Sequence, residues 1–161
     1  MTGMNYERNS AMYPIERIYV AGALTKVEKT SLKETYLAIA EVCSKVCSHV
    51  YVPHASGTDP VKDPNVTPET VWRVDHREVS AADMLVAYVG EPSLGVGAEL
   101  EIARITASDI VLWWFEGEKV SRMALGNPAV VHTIEAKDEK NLLEQLEQFL
   151  IRRVEGASAN E

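Results

Sequence analysis

Five short apolar runs recur along the chain, and four of them are followed by a stretch in which apolar residues return at helical spacing. The run at 109–115 is followed by VSRMAL, which predicts a short helix or turn. This alternation constrains the fold because strands that alternate with helices build βαβ units around a mostly parallel sheet. The runs are apolar almost throughout, which is typical of strands covered by helices on both faces. They predict strands at 17–21, 49–53, 84–90, 109–115 and 129–133, with helices at about 32–46, 68–82, 97–107 and 138–154.

The length of the chain suits one domain of this kind. The chain has 161 residues and no obvious internal break, which favours a single core large enough to be stable alone. We expect an α/β fold, a single-domain Rossmann-like (flavodoxin-like) three-layer sandwich with a five-stranded, mostly parallel sheet. A ligand is expected at the carboxyl ends of the strands. The domain is expected to span residues 15–154, between a flexible arm at 1–14 and a disordered tail at 155–161.

Composition and charge argue against several classes of partner. Apolar residues make up 46% and charged residues 25% of the chain, as in soluble globular proteins, and no apolar run is long enough for a membrane span. The formal net charge is −8 and no basic run occurs, which weighs against a nucleic acid polymer as ligand. The two cysteines lie one helical turn apart and are expected to be a reduced, buried pair. Because no apolar leader is seen at the N-terminus, a cytoplasmic location is expected.

The segment PSLGVGAEL, residues 92–100, carries the most distinctive pattern of small residues. Its glycines do not complete a GxGxxG motif and no GK[ST] follows, so the nucleotide-phosphate motifs are not met. A tight turn with small residues for close packing is one interpretation. The other is a mount for Glu99 in the first turn of the predicted helix, where free backbone N–H groups and the helix dipole favour an ionised carboxylate. Such a carboxylate can act as a nucleophile or a base.

Three further residues are candidates for a site, each with a structural alternative. Asp75 lies in the middle of a predicted helix among charged neighbours, where a solvated surface carboxylate is the simpler interpretation. His54 directly follows a strand, which suits a ligand contact, although a solvated loop histidine fits the pattern equally well. Tyr19 lies in the first strand and either packs in the core or donates a hydrogen bond to a nearby carboxylate. No metal-ligand or Ser-His-Asp signature occurs, so we expect neither a metal nor another cofactor.

Three segments together resemble the nucleoside 2-deoxyribosyltransferase superfamily, with the closer match to the 2'-deoxynucleoside 5'-phosphate N-hydrolases. The segments are RIYVAGAL, VDHREVSAADMLVAYV and PSLGVGAELEIA, and the resemblance covers about residues 17–126. The PSLGVGxEL block is its most specific part. The intervals of eight residues from Asp75 to Asp83 and sixteen from Asp83 to Glu99 fit the hydrolase pattern without gaps.

The resemblance implies a role for each matched residue. Glu99 is the expected nucleophile at the anomeric carbon, Asp75 the acid that protonates the departing base, and Tyr19 the hydroxyl that orients the nucleophile. Ser93 is expected to bind the 5'-phosphate. Ser121 is expected to reach the phosphate in a neighbouring subunit, which implies a homodimer with shared active sites. The implied substrate-binding set is completed by Gly22, His54, Gly95 and Gly97.

Glycosidic chemistry gives the two carboxyl groups a common purpose. Cleavage passes through an oxocarbenium-like transition state, which is served by one ionised carboxylate and one protonated carboxyl group.

The hydrolases typically carry a serine and an arginine in the first loop for the phosphate, whereas this chain has Ala23, Leu24 and Thr25 there. Lys26 or Lys29 could supply a point charge, but not the two-pronged contact of an arginine.

The resemblance implies hydrolysis of the N-glycosidic bond of 2'-deoxynucleoside 5'-monophosphates to free base and deoxyribose 5-phosphate. Two alternatives stay open. One is a nucleoside 2-deoxyribosyltransferase that exchanges bases, and the other is a catalytically inactive nucleotide-binding module. In each case the expected partner is a small deoxynucleotide or deoxynucleoside.

Overall fold

The structure, a computed structural model, describes residues 14–24 and 30–158. The strands are β1 (Arg17–Ala21), β2 (His49–Tyr51), β3 (Met84–Tyr88), β4 (Asp109–Phe115) and β5 (Val130–Ala136). The helices are α1 (Thr30–Cys43), α2 (Pro68–Ala81), α3 (Leu94–Ile105), α4 (Arg122–Leu125) and α5 (Glu139–Ser158). The strands form one sheet in the order β2-β1-β3-β4-β5, and each neighbouring pair is parallel. The predicted α/β fold is confirmed, with a sheet that is parallel throughout.

Side chains alternate between the two faces of the sheet, and each face has its own apolar core. On β1, Ile18 and Val20 pack on the face covered by α1 and α5. Tyr19 and Ala21 pack on the other face, which is covered by α2 and α3. The central strand β3 is buried at all five positions. Helices on both faces therefore explain why the strands are apolar almost throughout.

The helix termini follow local sequence signals, although α1, α3 and α5 each differ from their predicted bounds by more than one residue. α1 begins two residues and ends three residues earlier than predicted. Thr67 caps α2 by accepting a backbone N–H three residues on, and Pro68 takes the first helical position. Ser93 caps α3, which begins before the glycines of the PSLGVGAEL segment and so includes them in the helix instead of a loop. α5 continues to Ser158, so residues 155–158 are helical instead of part of a tail. Within residues 14–24 and 30–158, no helix combines the length and apolar character of a membrane span.

The strand order creates a topological switch point between β1 and β3. The chain leaves β1 toward β2 on one side and leaves β3 toward β4 on the other. Loops that diverge in this way leave a crevice at the carboxyl ends of the strands, which is where open α/β sheets bind ligands. Gly22 follows β1 at this crevice, and the start of α3 follows β3. Of the predicted arm at 1–14, the structure describes only Pro14.

Candidate active site

A cavity of about 500 Å³ opens at the switch point. Its walls come from four parts of the chain, which are the residues after β1, the loop between β2 and α2, one face of α2, and the first turns of α3. Asp75, Ser93 and Glu99 are among the residues that line it. The two carboxyl groups predicted to act in catalysis therefore share one cavity.

Tyr19 reaches the same site from the sheet. Its hydroxyl donates a hydrogen bond to Oε1 of Glu99 at 2.7 Å, and the residue is fully buried. Its ring stacks on that of Tyr51, its partner in the register of β1 and β2, with centroids 5.3 Å apart and planes at 22°. Burial and the nearby charges of Glu99 and Asp75 raise the pKa of Tyr19 well above its usual range, so it remains a donor. The structure brings together the predicted nucleophile and the hydroxyl predicted to orient it.

Glu99 lies in the second turn of α3, because the helix already begins at Leu94. The free N–H groups of the helix N-terminus are therefore one turn away from its carboxyl group. Burial raises the pKa of Glu99 to about 8, with a contribution from the charge of Asp75, and the hydrogen bond from Tyr19 opposes this rise. The expected place in the first turn is therefore wrong, and burial of the Glu99 carboxyl group opposes the ionised form that the helix dipole was expected to favour.

Asp75 faces the cavity from α2 and is partly buried, so it does not belong to a fully solvated helix face. Burial raises its pKa to about 6. Thr58 Oγ1 donates a hydrogen bond of 3.4 Å to its Oδ1, and the nearby Tyr51 hydroxyl also favours the charged form. That Tyr51 hydroxyl is buried and makes no hydrogen bond of ordinary geometry within the described part of the chain. Asp75 thus has the raised pKa that a general acid requires near neutral pH.

The two carboxyl groups titrate as a pair, since the charge of Asp75 contributes to the raised pKa of Glu99. Between about pH 6 and pH 8 the pair holds one proton. The hydrogen bond from Tyr19 favours the ionised form of Glu99, and a positive charge that develops beside Glu99 would shift the shared proton toward Asp75.

An ion pair that the sequence analysis missed fixes the loop between β2 and α2. Asp59 is fully buried, and its Oδ2 accepts a hydrogen bond of 2.6 Å from Nζ of Lys33 on α1. Its Oδ1 accepts the backbone N–H groups of Val61 and Lys62. Burial alone would raise the pKa of Asp59, but these contacts lower it to about 2. The charged pair therefore anchors to α1 the loop that places Thr58 beside the cavity.

The remaining predicted residues divide between the cavity and a separate groove. Gly22 and Gly95 line the cavity. Gly97 and Ser121 line a groove of about 710 Å³ between α3 and the segment around α4. Ser93 lines both and so marks the boundary between them. Within one copy of the chain, Gly97 and Ser121 therefore line this groove and not the cavity that contains Asp75 and Glu99.

Other predicted contacts lie behind the cavity or outside the described residues. His54 is almost fully buried, with its ring centroid 5.9 Å from that of Tyr36, and it does not line the cavity. Burial lowers the pKa of His54, so its ring is neutral at physiological pH. It contributes to the packing behind the cavity instead of to its wall. Lys26 and Lys29 lie outside the described residues, whereas Leu24 lines the cavity.

No protein-family model and no curated protein sequence matches the chain. Among solved structures, it is similar to the CMP N-glycosidase BcmB of Clostridium botulinum, with 22% identity over 83% of this chain and 99% of that chain and a TM-score of 0.58. It is similar to BlsM, with 21% identity over 87% and 92% of the two chains and a TM-score of 0.68. A 2-deoxyribosyltransferase of Bacillus psychrosaccharolyticus matches with 18% identity over 81% and 95% and a TM-score of 0.60. The chain therefore has the fold that is found in a CMP N-glycosidase and in a 2-deoxyribosyltransferase.

Proposed function

We propose that the protein hydrolyses the N-glycosidic bond of 2'-deoxynucleoside 5'-monophosphates and releases the free base and deoxyribose 5-phosphate. The observation that carries the proposal is the 2.7 Å hydrogen bond from Tyr19 to Glu99 in a cavity that also contains Asp75. A nucleophilic carboxylate and a second carboxyl group with a raised pKa are what a retaining glycosidase uses. The fold shared with a CMP N-glycosidase and a 2-deoxyribosyltransferase is compatible with this chemistry.

The proposed reaction has two steps. In the first, a carboxylate oxygen of Glu99 attacks the anomeric carbon while the bond to the base breaks. The electron pair of that bond goes to the base nitrogen, which takes the proton of Asp75, and the sugar phosphate is left as an ester of Glu99. In the second, water attacks the same carbon, gives a proton to Asp75 and restores the Glu99 carboxylate.

The shared proton sets the pH range in which this reaction can start. The productive state has the proton on Asp75 and the charge on Glu99, and it exists only while the pair holds one proton. The pKa values of about 6 and about 8 give a window around neutral pH. Positive charge that develops at the anomeric carbon then stabilises the ionised Glu99. A substrate without a 2'-hydroxyl forms such a cation more easily, which favours a deoxynucleotide.

The start of α3 is the proposed site for the 5'-phosphate. The helix has 12 residues, and its first backbone N–H groups have no partner within the helix. Ser93 Oγ accepts the Val96 N–H at 3.3 Å, which leaves its own O–H available to an anion. At Gly95, which lines the cavity, an added Cβ would meet no atom closer than 3.8 Å, so a ligand can approach the backbone.

We also propose a homodimer in which a second copy covers the groove beside α4. Leu94 and Met123 line this groove and are 97% and 89% exposed, which is high for large apolar side chains. Because Ser93 lines both groove and cavity, Ser121 of a second copy could approach the phosphate across this boundary. Light scattering should give the mass of two chains for the wild-type protein and of one chain for Met123→Asp. A wild-type monomer at micromolar concentration would contradict the proposal.

Product analysis tests the proposed activity. Purified protein is incubated with deoxynucleoside monophosphates, deoxynucleosides and ribonucleoside monophosphates, and the products are separated by chromatography. Free base together with deoxyribose 5-phosphate is the expected result. A new nucleoside, formed when an acceptor base is added, would indicate a deoxyribosyltransferase instead, and binding without turnover would indicate a nucleotide-binding module.

Two variants test the proposed catalytic residues, and a third is the control. Glu99→Gln should abolish base release, and Asp75→Asn should reduce it by roughly 10²- to 10⁴-fold, as expected for the loss of a general acid. Glu144→Gln changes an exposed glutamate on α5, which lies on the opposite face of the sheet, and should keep the wild-type rate. Base release that survives Glu99→Gln unchanged would refute the proposal.

A further inference from the structure

One wall of the cavity carries an exposed indole that the proposed reaction does not use. Trp72 on α2 is 64% exposed, although it lines the cavity that contains Asp75 and Glu99. The other two tryptophans, Trp113 and Trp114, lie in β4, where Trp113 is fully buried. A single exposed aromatic residue on a convex surface needs no explanation. This one is part of a concave site, where aromatic side chains serve to hold ligands.

The helix aligns this indole with the proposed general acid. Residues three and four positions apart lie on the same helical face, and Trp72, Asp75 and His76 all line the cavity. The His76 ring lies beside the indole, with centroids 4.7 Å apart and planes at 33°. Ring Nδ1 of His76 is in turn 3.5 Å from Oγ of Ser80. The neighbouring ring restricts the positions that the indole can take.

Apolar surface lies beside the indole on this wall. Val66 and Val71 line the cavity close to Trp72 in the chain and have no polar side-chain group, while Asp75 and His76 supply polar groups from the same helix as Trp72. The groups proposed above for the sugar and the phosphate, Glu99 and Ser93, belong to α3 and its cap. The flat, apolar faces of a base suit the wall that carries Trp72, whereas a sugar phosphate requires polar partners.

We propose that Trp72 is the platform on which the base of the substrate stacks. The inference rests on the proposed function, because Asp75 must reach the base nitrogen whose bond to the sugar breaks. A base held against Asp75 extends over the side chain one turn earlier on the same helix, which is Trp72. Stacking is open to every nucleobase since each has a π face. The platform therefore recognises purines and pyrimidines as a class, and it does not select one base.

Binding to a variant that cannot turn over tests this separately from catalysis. In the Glu99→Gln protein, calorimetry with a deoxynucleoside monophosphate gives a Kd, and deoxyribose 5-phosphate is the probe that lacks a base. Adding Trp72→Ala should raise the nucleotide Kd by about 5- to 150-fold, the range for the loss of one base–aromatic stack. The Kd for the sugar phosphate should not change. Trp72→Phe should keep most of the nucleotide affinity, because a flat ring remains.

Intrinsic fluorescence gives an independent readout of the same contact. The nucleotide should quench the emission of the exposed indole in Glu99→Gln protein, and this quenching should disappear in Trp72→Phe, which keeps both tryptophans of β4. The matched control is Leu37→Ala on α1, a 43% exposed apolar residue on the other face of the sheet. It should change neither the Kd nor the quenching.

The outcomes separate this inference from the proposed function. A nucleotide Kd that is equal in the presence and absence of Trp72→Ala would overturn the inference, and so would a nucleotide that does not bind at all. An equal loss of affinity for deoxyribose 5-phosphate would also overturn it, because that probe has no base to stack. If only the proposed function fails, wild-type protein releases no base while the nucleotide still binds and quenches Trp72.

Discussion

The hydrogen bond from Tyr19 to Glu99 gives the sharpest test of the proposed mechanism. Tyr19→Phe removes the hydroxyl and keeps the ring that stacks on Tyr51. Because the hydrogen bond favours the ionised form of Glu99, its loss should raise the pKa of Glu99 above about 8. The shared proton then stays on Glu99 more of the time, and fewer molecules have the proton on Asp75 and the charge on Glu99.

The size of the effect follows from the strength of a hydrogen bond to a charged group, which is roughly 1.5–3 kcal/mol. At about 1.4 kcal/mol for each pKa unit, the alkaline limb of the pH–rate profile should move up by about one to two pH units. The population of the productive protonation state, and with it kcat near neutral pH, should fall by about 10- to 150-fold. KM should change little, because in the proposed mechanism this hydroxyl acts on Glu99 and not on the substrate.

The assay is the initial rate of base release between about pH 5 and 10, where the wild-type protein should show limbs near 6 and 8. The matched control is Tyr88→Phe. Tyr88 donates a similar hydrogen bond, 2.6 Å to Oε1 of Glu118, and does not line the cavity. Its loss should cost stability but leave kcat and the profile unchanged. A Tyr19→Phe protein with the wild-type alkaline limb and a kcat within about twofold of wild type would refute the reasoning.

Three further predictions concern residues around Asp75 and Glu99. Lys33→Met leaves the buried Asp59 carboxylate without its cation and should lower the free energy of unfolding by roughly 3 kcal/mol in urea titrations at neutral pH. This loss should shrink as the pH falls toward the pKa of Asp59, about 2, because protonation removes the unpaired charge. Thr58→Val removes a long hydrogen bond that favours ionised Asp75, so the acidic limb of the pH–rate profile should rise by less than about one pH unit with no fall in kcat. Gly22→Ala would put a Cβ into the ring of a tyrosine on α1 and should lower the free energy of unfolding by roughly 1–3 kcal/mol in the same titrations.

Much of the fold could be predicted because apolar periodicity reports directly which residues are buried. Tyr19, Asp75 and Glu99 were singled out together by the resemblance of three segments to a known family, because the local pattern alone favoured packing for Tyr19 and a solvated helix face for Asp75. The raised pKa of Glu99 could not be predicted from the sequence, because the desolvation of a carboxyl group depends on every atom packed around it. The predicted start of α3 lies three residues after the observed start at Leu94, since the glycines at 95 and 97 are typical of loops.

Contacts between distant parts of the chain were beyond the reach of sequence patterns. The ion pair of Lys33 and Asp59 joins a helix to a loop, and neither position carries a local signal for the other. Tyr51 meets Tyr19 only because β2 and β1 are neighbours in register. His54 follows a strand end as predicted, but a 3-10 turn at Pro53–Ala55 directs its ring to the packing around α1.

The Lys33–Asp59 ion pair also ties a loop beside the cavity to a helix on the opposite face of the sheet. Lys33 belongs to α1, which covers one face of the sheet, whereas both carboxyl groups of the proposed mechanism belong to helices on the other face. We expect the pair to join the loop that lines the cavity to the cooperative unit of α1. The amide hydrogens of Val61 and Lys62, which Asp59 holds, should then exchange with deuterium only as fast as α1 itself opens. Access to the cavity should then depend on a helix that contributes neither of the proposed catalytic carboxyl groups.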